Sequence, residues 1–272
     1  MIPRIALLGA ISIFAGGAAG FAFAGAEPLQ LAQRGFMKGQ MARPGDDEEP
    51  RTRIRASGIV AAMPREASCL AIASPFGSPT RYDGSQRPMD RFGGVHGGID
   101  ITLHEGTPLL AIASGTVVHL GAGGLAEGNY LWLQHAPEQT QLPFWVYAKY
   151  QHLAEVPALA VGAKVRAGEV VARSGSSGTV GPHYGPRGYA HLHLSTFASW
   201  SGNFERQGSR VVADAPRLFD PVAIYVRGLN DLDGIERMSP EQKNIPIPYV
   251  AESGAIVPAD SAVVWPVGCK QG

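Results

Sequence analysis

The chain has 272 residues, 45% of them hydrophobic, which suits one large or two small domains with a buried core and excludes a disordered or fibrous chain. Its 23 basic and 23 acidic residues cancel, so charge provides neither the surplus of a nucleic-acid binder nor an acidic field for a cationic partner. With 35 glycines and 21 prolines, the composition favours short strands and many turns, an all-β or mostly β fold.

The first segment, MIPRIALLGAISIFAGGAAGFAFAGAEP, places Arg4 before an apolar run and ends in small residues at Ala22, Ala24 and Ala26. Residues 1–26 therefore read as a signal peptide, cleaved after Ala24 or Ala26. An uncleaved membrane anchor is the alternative; interruption of the run by Gly9, Gly16, Gly17 and Gly20 favours cleavage. Either reading exports the rest of the chain, to the periplasm or cell envelope or into the medium. No second stretch is long enough to span a bilayer, so a membrane enters only through this segment. Residues 27–58 are polar, with the acidic run Asp46–Glu49 answered by Arg51, Arg53 and Arg55, and read as a flexible linker or pro-region. The two cysteines, Cys69 and Cys269, would pair in an oxidising compartment or both stay free; spacing does not decide, and their exported position favours the bridge.

A compact domain is expected over residues 59–226, where short apolar runs alternate with Gly, Pro and Asp. Strands are expected in GIDITL, on both sides of the Gly115 turn in PLLAIASGTVVHLG, in NYLWLQHA and in FWVYAKYQHL. Gly162, Gly168 and Gly175 punctuate VGAKVRAGEVVARSG as a hairpin. Residues 227–272 hold at most one short helix before a Pro-rich tail and read as a C-terminal extension packed on the domain.

Three stretches carry candidate chemistry. Strict alternation in AHLHLS puts His191 and His193 on the exposed face of a strand, roughly 7 Å apart, and sends Leu192 and Leu194 to the core. HGGIDI spaces His96 and Asp100 so that the intervening glycines let an imidazole and a carboxylate converge on a metal such as zinc. A glycine-rich turn whose Asp only bonds its own backbone would look the same. In YQHL, His152 ends an apolar strand and, taken alone, reads as a buried, satisfied histidine.

Six blocks, in order, carry a resemblance over roughly residues 74–222: SPFG (74–77), HGGIDI (96–101), GTPLLAIASGTV (106–117), YQHL (150–153), VGAKVRAGEVVARSGSSG and HLH (191–193). The chain resembles the lysostaphin-type, LytM-like zinc metallopeptidases that cleave peptidoglycan peptides. The resemblance implies a mainly β, antiparallel LytM-like peptidase domain with long loops over a cleft. It also implies one Zn2+ held by His96, Asp100 and His193, with His191 and His152 as the two catalytic histidines that are not ligands. A zinc-bound water with its pKa drawn to about 7 would then lose a proton to one imidazole, while the other helps the metal steady the oxyanion.

The chain departs from the family pattern in two places. The family runs TGPHLHF without interruption, whereas here GPH at 181–183 is followed by YGPRGYA before HLHL arrives. His183 has Gly185 where a ligand would be needed, so the interposed residues read as a loop inserted at the cleft rim. Leu194-Ser195 replace the Phe-Glu that often ends the family motif. Some relatives hold a pro-region Asn on the zinc, and residues 1–128 contain no Asn. His104, His119 and His135 match no motif position and are expected in turns and on surfaces.

The function expected is an exported zinc endopeptidase acting on peptidoglycan stems or cross-links, with peptidoglycan peptides as partners and no nucleic acid. A non-catalytic LytM-like module that binds the wall or regulates another hydrolase is the alternative, which all five retained positions oppose. Such a module would have a protein partner that the chain does not identify. A lipoyl or biotinyl carrier would need an exposed Lys at a turn, and Lys149 sits in an apolar strand pattern instead.

Overall fold

A computed structural model describes residues 54–181 and 183–272. The expected signal peptide and most of the linker lie outside the described residues. The strands that build the site are β1 (Ile99–Thr102), β2 (Pro108–Leu110), β3 (Gly115–Ala122), β4 (Asn129–His135), β5 (Trp145–Leu153), β6 (Lys164–Val165), β7 (Val170–Arg173), β8 (His191–Ser199), β9 (Phe204–Gln207), β10 (Arg210–Ala213) and β11 (Arg217–Phe219). The chain is mostly β, and its main sheet has the order β11-β8-β5-β4-β3-β6, every pair antiparallel, with β1 also on β8. One edge of β8 is shared: β1 runs along its first half and β11 along its second.

Alternation assigns the two faces of this sheet. Leu192 and Leu194 of β8, Ile99 and Ile101 of β1, Leu131 and Leu133 of β4 and Val146, Ala148 and Tyr150 of β5 enter one apolar core. The Tyr150 hydroxyl, buried there, donates to Leu110 O and accepts from Ile112 N, both at 3.0 Å, so its polar atom costs little. On the opposite face the β9–β10 hairpin lies over Tyr130, Trp132 and Tyr147 and buries them with Val211 and Ala213. Side chains of the sheet hold it by its carbonyls: Trp132 Nε1 donates to Ser209 O at 2.9 Å and Gln134 Nε2 to Gly202 O at 2.7 Å.

The C-terminal residues close the same core. Ile245, Ile247, Tyr249, Trp265 and Val267 join it, and Trp265 is fully buried. Asn244–Pro246 pairs in parallel with Val60–Ala62, Lys270–Gln271 pairs with Ala67–Ser68, and a disulfide joins Cys69 to Cys269.

Three details differ from the sequence expectation. The VGAKVRAGEVVARSG segment turns back at Arg166–Glu169, but β6 and β7 do not pair with each other: β6 extends the sheet beside β3, and β7 pairs with β2. Each finds an open strand edge elsewhere, so the turn is local and the partners are not. His135 is not at the surface but wholly buried on β4. His119 lies on β3, where its Nε2 meets Gly208 O at 2.7 Å.

Candidate metal centre and its flanking histidines

Asp100 lies directly opposite His193 across the β1–β8 ladder, so strand pairing alone brings a carboxylate to an imidazole 93 residues away. His96 reaches the same point because residues 73–78 bind the HGGID turn on both sides. Asp100 N donates to Ser74 O at 2.9 Å, His96 N to Ser78 O at 3.0 Å, and Gly77 N to His96 O at 2.9 Å. The SPFG block is thus the clamp that fixes the first ligand relative to the second.

His152 arrives by a different route. By strict alternation it would share the core face with Tyr150, yet its ring lies 4.5 Å from that of His191 and 6.0 Å from that of His193. The β4–β5 register shifts so that Leu153 faces Asn129 while Gln151 faces Tyr130, which leaves His152 as the extra residue of a bulge. Its φ of 61° is left-handed, a conformation uncommon outside glycine, and it turns the imidazole onto the ligand face.

The distances at the centre are short. His96 Nε2 is 3.0 Å from His193 Nδ1 and 3.1 Å from Asp100 Oδ1, and His193 Nδ1 is 2.8 Å from the same Oδ1. These three atoms belong to a group of donors able to hold a metal ion. His191 Nε2 stands 3.6 Å from Asp100 Oδ1. Three of the four imidazoles rest their Nδ1 proton on a main-chain carbonyl: His96 on Pro75 at 3.1 Å, His152 on Ser177 at 2.8 Å and His191 on Tyr189 at 2.8 Å. Their Nε2 atoms therefore present bare lone pairs. His193 is reversed, with Nδ1 inward and Nε2 3.0 Å from Ser195 Oγ.

Burial and charge oppose each other here. Burial works against the charge on Asp100, but the facing imidazoles of His96 and His193 outweigh it and hold its carboxyl well below the ordinary range. Burial drives His152 down to about 3, with His191 and His193 adding to the effect. It also lowers His191 and His193, against the pull of Asp100. His152, His191 and His193 are thus neutral at pH 7, the state that offers lone pairs.

This arrangement fits a zinc ion. Two neutral imidazoles and a carboxylate are a borderline donor set, and bonds of about 2.0–2.1 Å with tetrahedral angles would place donors ~3.3 Å apart, close to what is found.

The described residues also contain partners that the sequence reading did not single out. Arg87, on the loop before HGGID, donates from Nη2 to Ser74 Oγ at 2.8 Å and lies 3.4 Å from Asp100 Oδ2. Tyr189 stacks on His191 at 4.5 Å and Tyr82 on Tyr189 at 4.2 Å, so two loops form an aromatic wall beside the centre. No periodicity or motif spacing marks Arg87 or Tyr82, because only the fold of their loop brings them here. His191 is only 3% exposed, so the face expected to be open is covered by this wall. His183 stays outside, 3.3 Å from both Asp83 Oδ2 and Ser85 Oγ on the opposite rim. Lys149, 7% exposed, pairs with Glu127 between the rings of Tyr130 and Trp132, which removes the exposed lysine a carrier would need.

Residues 94–200 match the model of Peptidase family M23. An uncharacterized metalloprotease of Haemophilus influenzae is 32% identical over 115 residues, 41% of this chain and 21% of that protein. Lysostaphin of Staphylococcus staphylolyticus is 35% identical over 98 residues, 35% of this chain and 19% of that protein. The glycyl-glycine endopeptidase ALE-1 of Staphylococcus capitis is 33% identical over 97 residues, 35% of this chain and 25% of that protein. The chain thus spans about a fifth to a quarter of these relatives' length. Among solved structures, the catalytic domain of lysostaphin from Staphylococcus simulans is 30% identical, with 42% of this chain and 77% of that one covered and a TM-score of 0.33. M23 peptidases are metallopeptidases, and this chain carries, over residues 94–200, a domain of peptidase family M23.

Proposed function

We propose that the chain is an exported zinc endopeptidase that hydrolyses peptide bonds in peptidoglycan stems or cross-links. The observation that carries this reading is the convergence of His96 Nε2, Asp100 Oδ1 and His193 Nδ1, with the bare Nε2 atoms of His152 and His191 alongside. Zinc held by the three donors would supply Lewis acidity and a water acidic enough to attack a peptide carbonyl near neutral pH. His191 takes the proton of the attacking water on Nε2 and returns it to the leaving amine nitrogen. Burial lowers both imidazoles and Asp100 pulls each the other way, but His191 Nε2 is the one that stands 3.6 Å from the Asp100 carboxylate. Because its own proton is committed to Ser177 O, neutral His152 accepts a hydrogen bond from the water and orients it, a role its geometry suits better than donating to an oxyanion.

Export is supported by the apolar N-terminal segment and by the Cys69–Cys269 bridge, a bond that persists in oxidising compartments. Peptidoglycan as substrate is supported by the relatives named lysostaphin and glycyl-glycine endopeptidase. Intact cell walls incubated with purified protein should yield new amino groups, stop doing so when a chelator is added, and recover with zinc. Mass spectrometry of the released muropeptides identifies the bond. A protein that contains zinc but releases no amino groups from any wall would instead support the reading of a binding or regulatory module.

A further inference from the structure

His193 is the one histidine of the centre whose outward nitrogen does not rest on a main-chain carbonyl. Its Nε2 lies 3.0 Å from Ser195 Oγ, and that hydroxyl lies 2.9 Å from Gly97 O. A carbonyl only accepts, so the single hydroxyl proton of Ser195 goes to Gly97, and toward His193 the same oxygen can only accept. With a metal on Nδ1, His193 would carry its proton on Nε2 and donate it to this oxygen; in the metal-free chain the Asp100 carboxylate, 2.8 Å from Nδ1, also only accepts and competes for the same proton. Ser195 is 4% exposed, so water does not compete for these bonds. Gly97 sits between the other two donor residues, so the hydroxyl ties the third donor to the turn that bears the first two. Gly98 makes room for the tie: a Cβ there would stand 2.9 Å from both His193 Nε2 and Ser195 Oγ.

We propose that Ser195 is a positioning residue that fixes the ring orientation of His193 for a metal on Nδ1, through the contacts of its Oγ with His193 Nε2 and Gly97 O. The inference rests on the reading of His96, Asp100 and His193 as a metal site. Partners of this kind, one bond removed from the ion, are worth roughly 10- to 100-fold in metal affinity.

Two measurements on the full chain test it. NMR of the zinc-loaded protein should show the His193 Nε2 proton slow to exchange with solvent, and Ser195→Ala should speed that exchange. Competition of zinc alone against a chelator of known affinity should show binding weakened about 10- to 100-fold in Ser195→Ala and restored toward the starting value in Ser195→Thr, which keeps the hydroxyl. A His193 Nε2 proton in the unsubstituted, zinc-loaded chain that exchanges as fast as that of an exposed imidazole overturns the proposal outright, even if neither variant folds. So does an unchanged exchange rate or unchanged zinc affinity in Ser195→Ala, or a Thr variant as weak as the Ala one. Failure of the unsubstituted chain to bind zinc would instead remove the metalloenzyme reading on which the proposal rests.

Discussion

The rim loop of residues 183–190 and strand β8 adjoin in sequence and both carry histidine, yet the fold treats them in opposite ways. His183, with 31% of its side chain exposed, meets Asp83 and Ser85 on another surface loop, partners with freedom to move away. His191 and His193 are both held by the ladder to β1, and His193 also by that to β5; their outward nitrogens are occupied by Tyr189 O and Ser195 Oγ, and their inward nitrogens are directed at Asp100. A histidine becomes part of a site when the backbone fixes its ring and a protein acceptor takes one proton, so that the other nitrogen has a defined state.

The largest effects should come from the strand side and its partners. His96→Ala and Asp100→Ala are expected to abolish zinc retention and to reduce wall hydrolysis to background, measured by metal analysis and amino-group release. A His96→Ala protein still active at full rate would end the reading of this cluster as the site. Next in size, His191→Ala should keep its zinc while turnover falls by about 100- to 10,000-fold, the ordinary range for loss of a general base. Loss of zinc in that variant would make His191 a ligand and redraw the division of roles.

His135 sharpens the comparison from another direction. It also lies on a strand with Nδ1 resting on a carbonyl, Ser114 O at 2.8 Å, but its Nε2 is buried with no partner among the described residues. Burial lowers it from 6.5 to about 4. The folded value lies below the unfolded one, so the unfolded chain takes up the proton first as pH falls. The contribution to stability is complete above pH 6.5 and is lost between 6.5 and 4, about 3 kcal/mol in all. Denaturant unfolding across that window should show a shallower acid limb in His135→Gln than in the unsubstituted chain, with zinc content unaltered. An equally steep limb would assign the acid sensitivity to other groups. The smallest effect belongs to the loop: His183→Ala should leave zinc content and the pH profile of hydrolysis unchanged, because its partners Asp83 and Ser85 are not among the donors of the centre. A loss of zinc there would break the contrast between loop and strand.

Much of this was legible before any fold was known, because it depends on local periodicity. Alternation in AHLHLS separates His191 and His193 from Leu192 and Leu194, and the HGGID spacing offers a second and third donor. The regular glycines announce short strands. What alternation misjudged was the environment: it made the histidine face of β8 exposed, whereas Tyr189 and Tyr82 cover His191. His135 likewise looked like a surface residue for want of any local signal, and a strand neighbour supplied by the fold buried it.

The sequence by itself determined the mainly β character of the domain and the residue types of the centre, since both are written in spacings of two to four residues. Only the tertiary structure decided that Asp100 stands opposite His193, that a bulge with left-handed backbone turns His152 out of the core face, and that Ser195 Oγ bridges the outer nitrogen of His193 to Gly97 O. Each of these depends on strand register and on partners tens of residues or more away, or on a break in alternation that no repeat predicts. A two-residue period says which side chains share a face, but not what the rest of the chain will set in front of it.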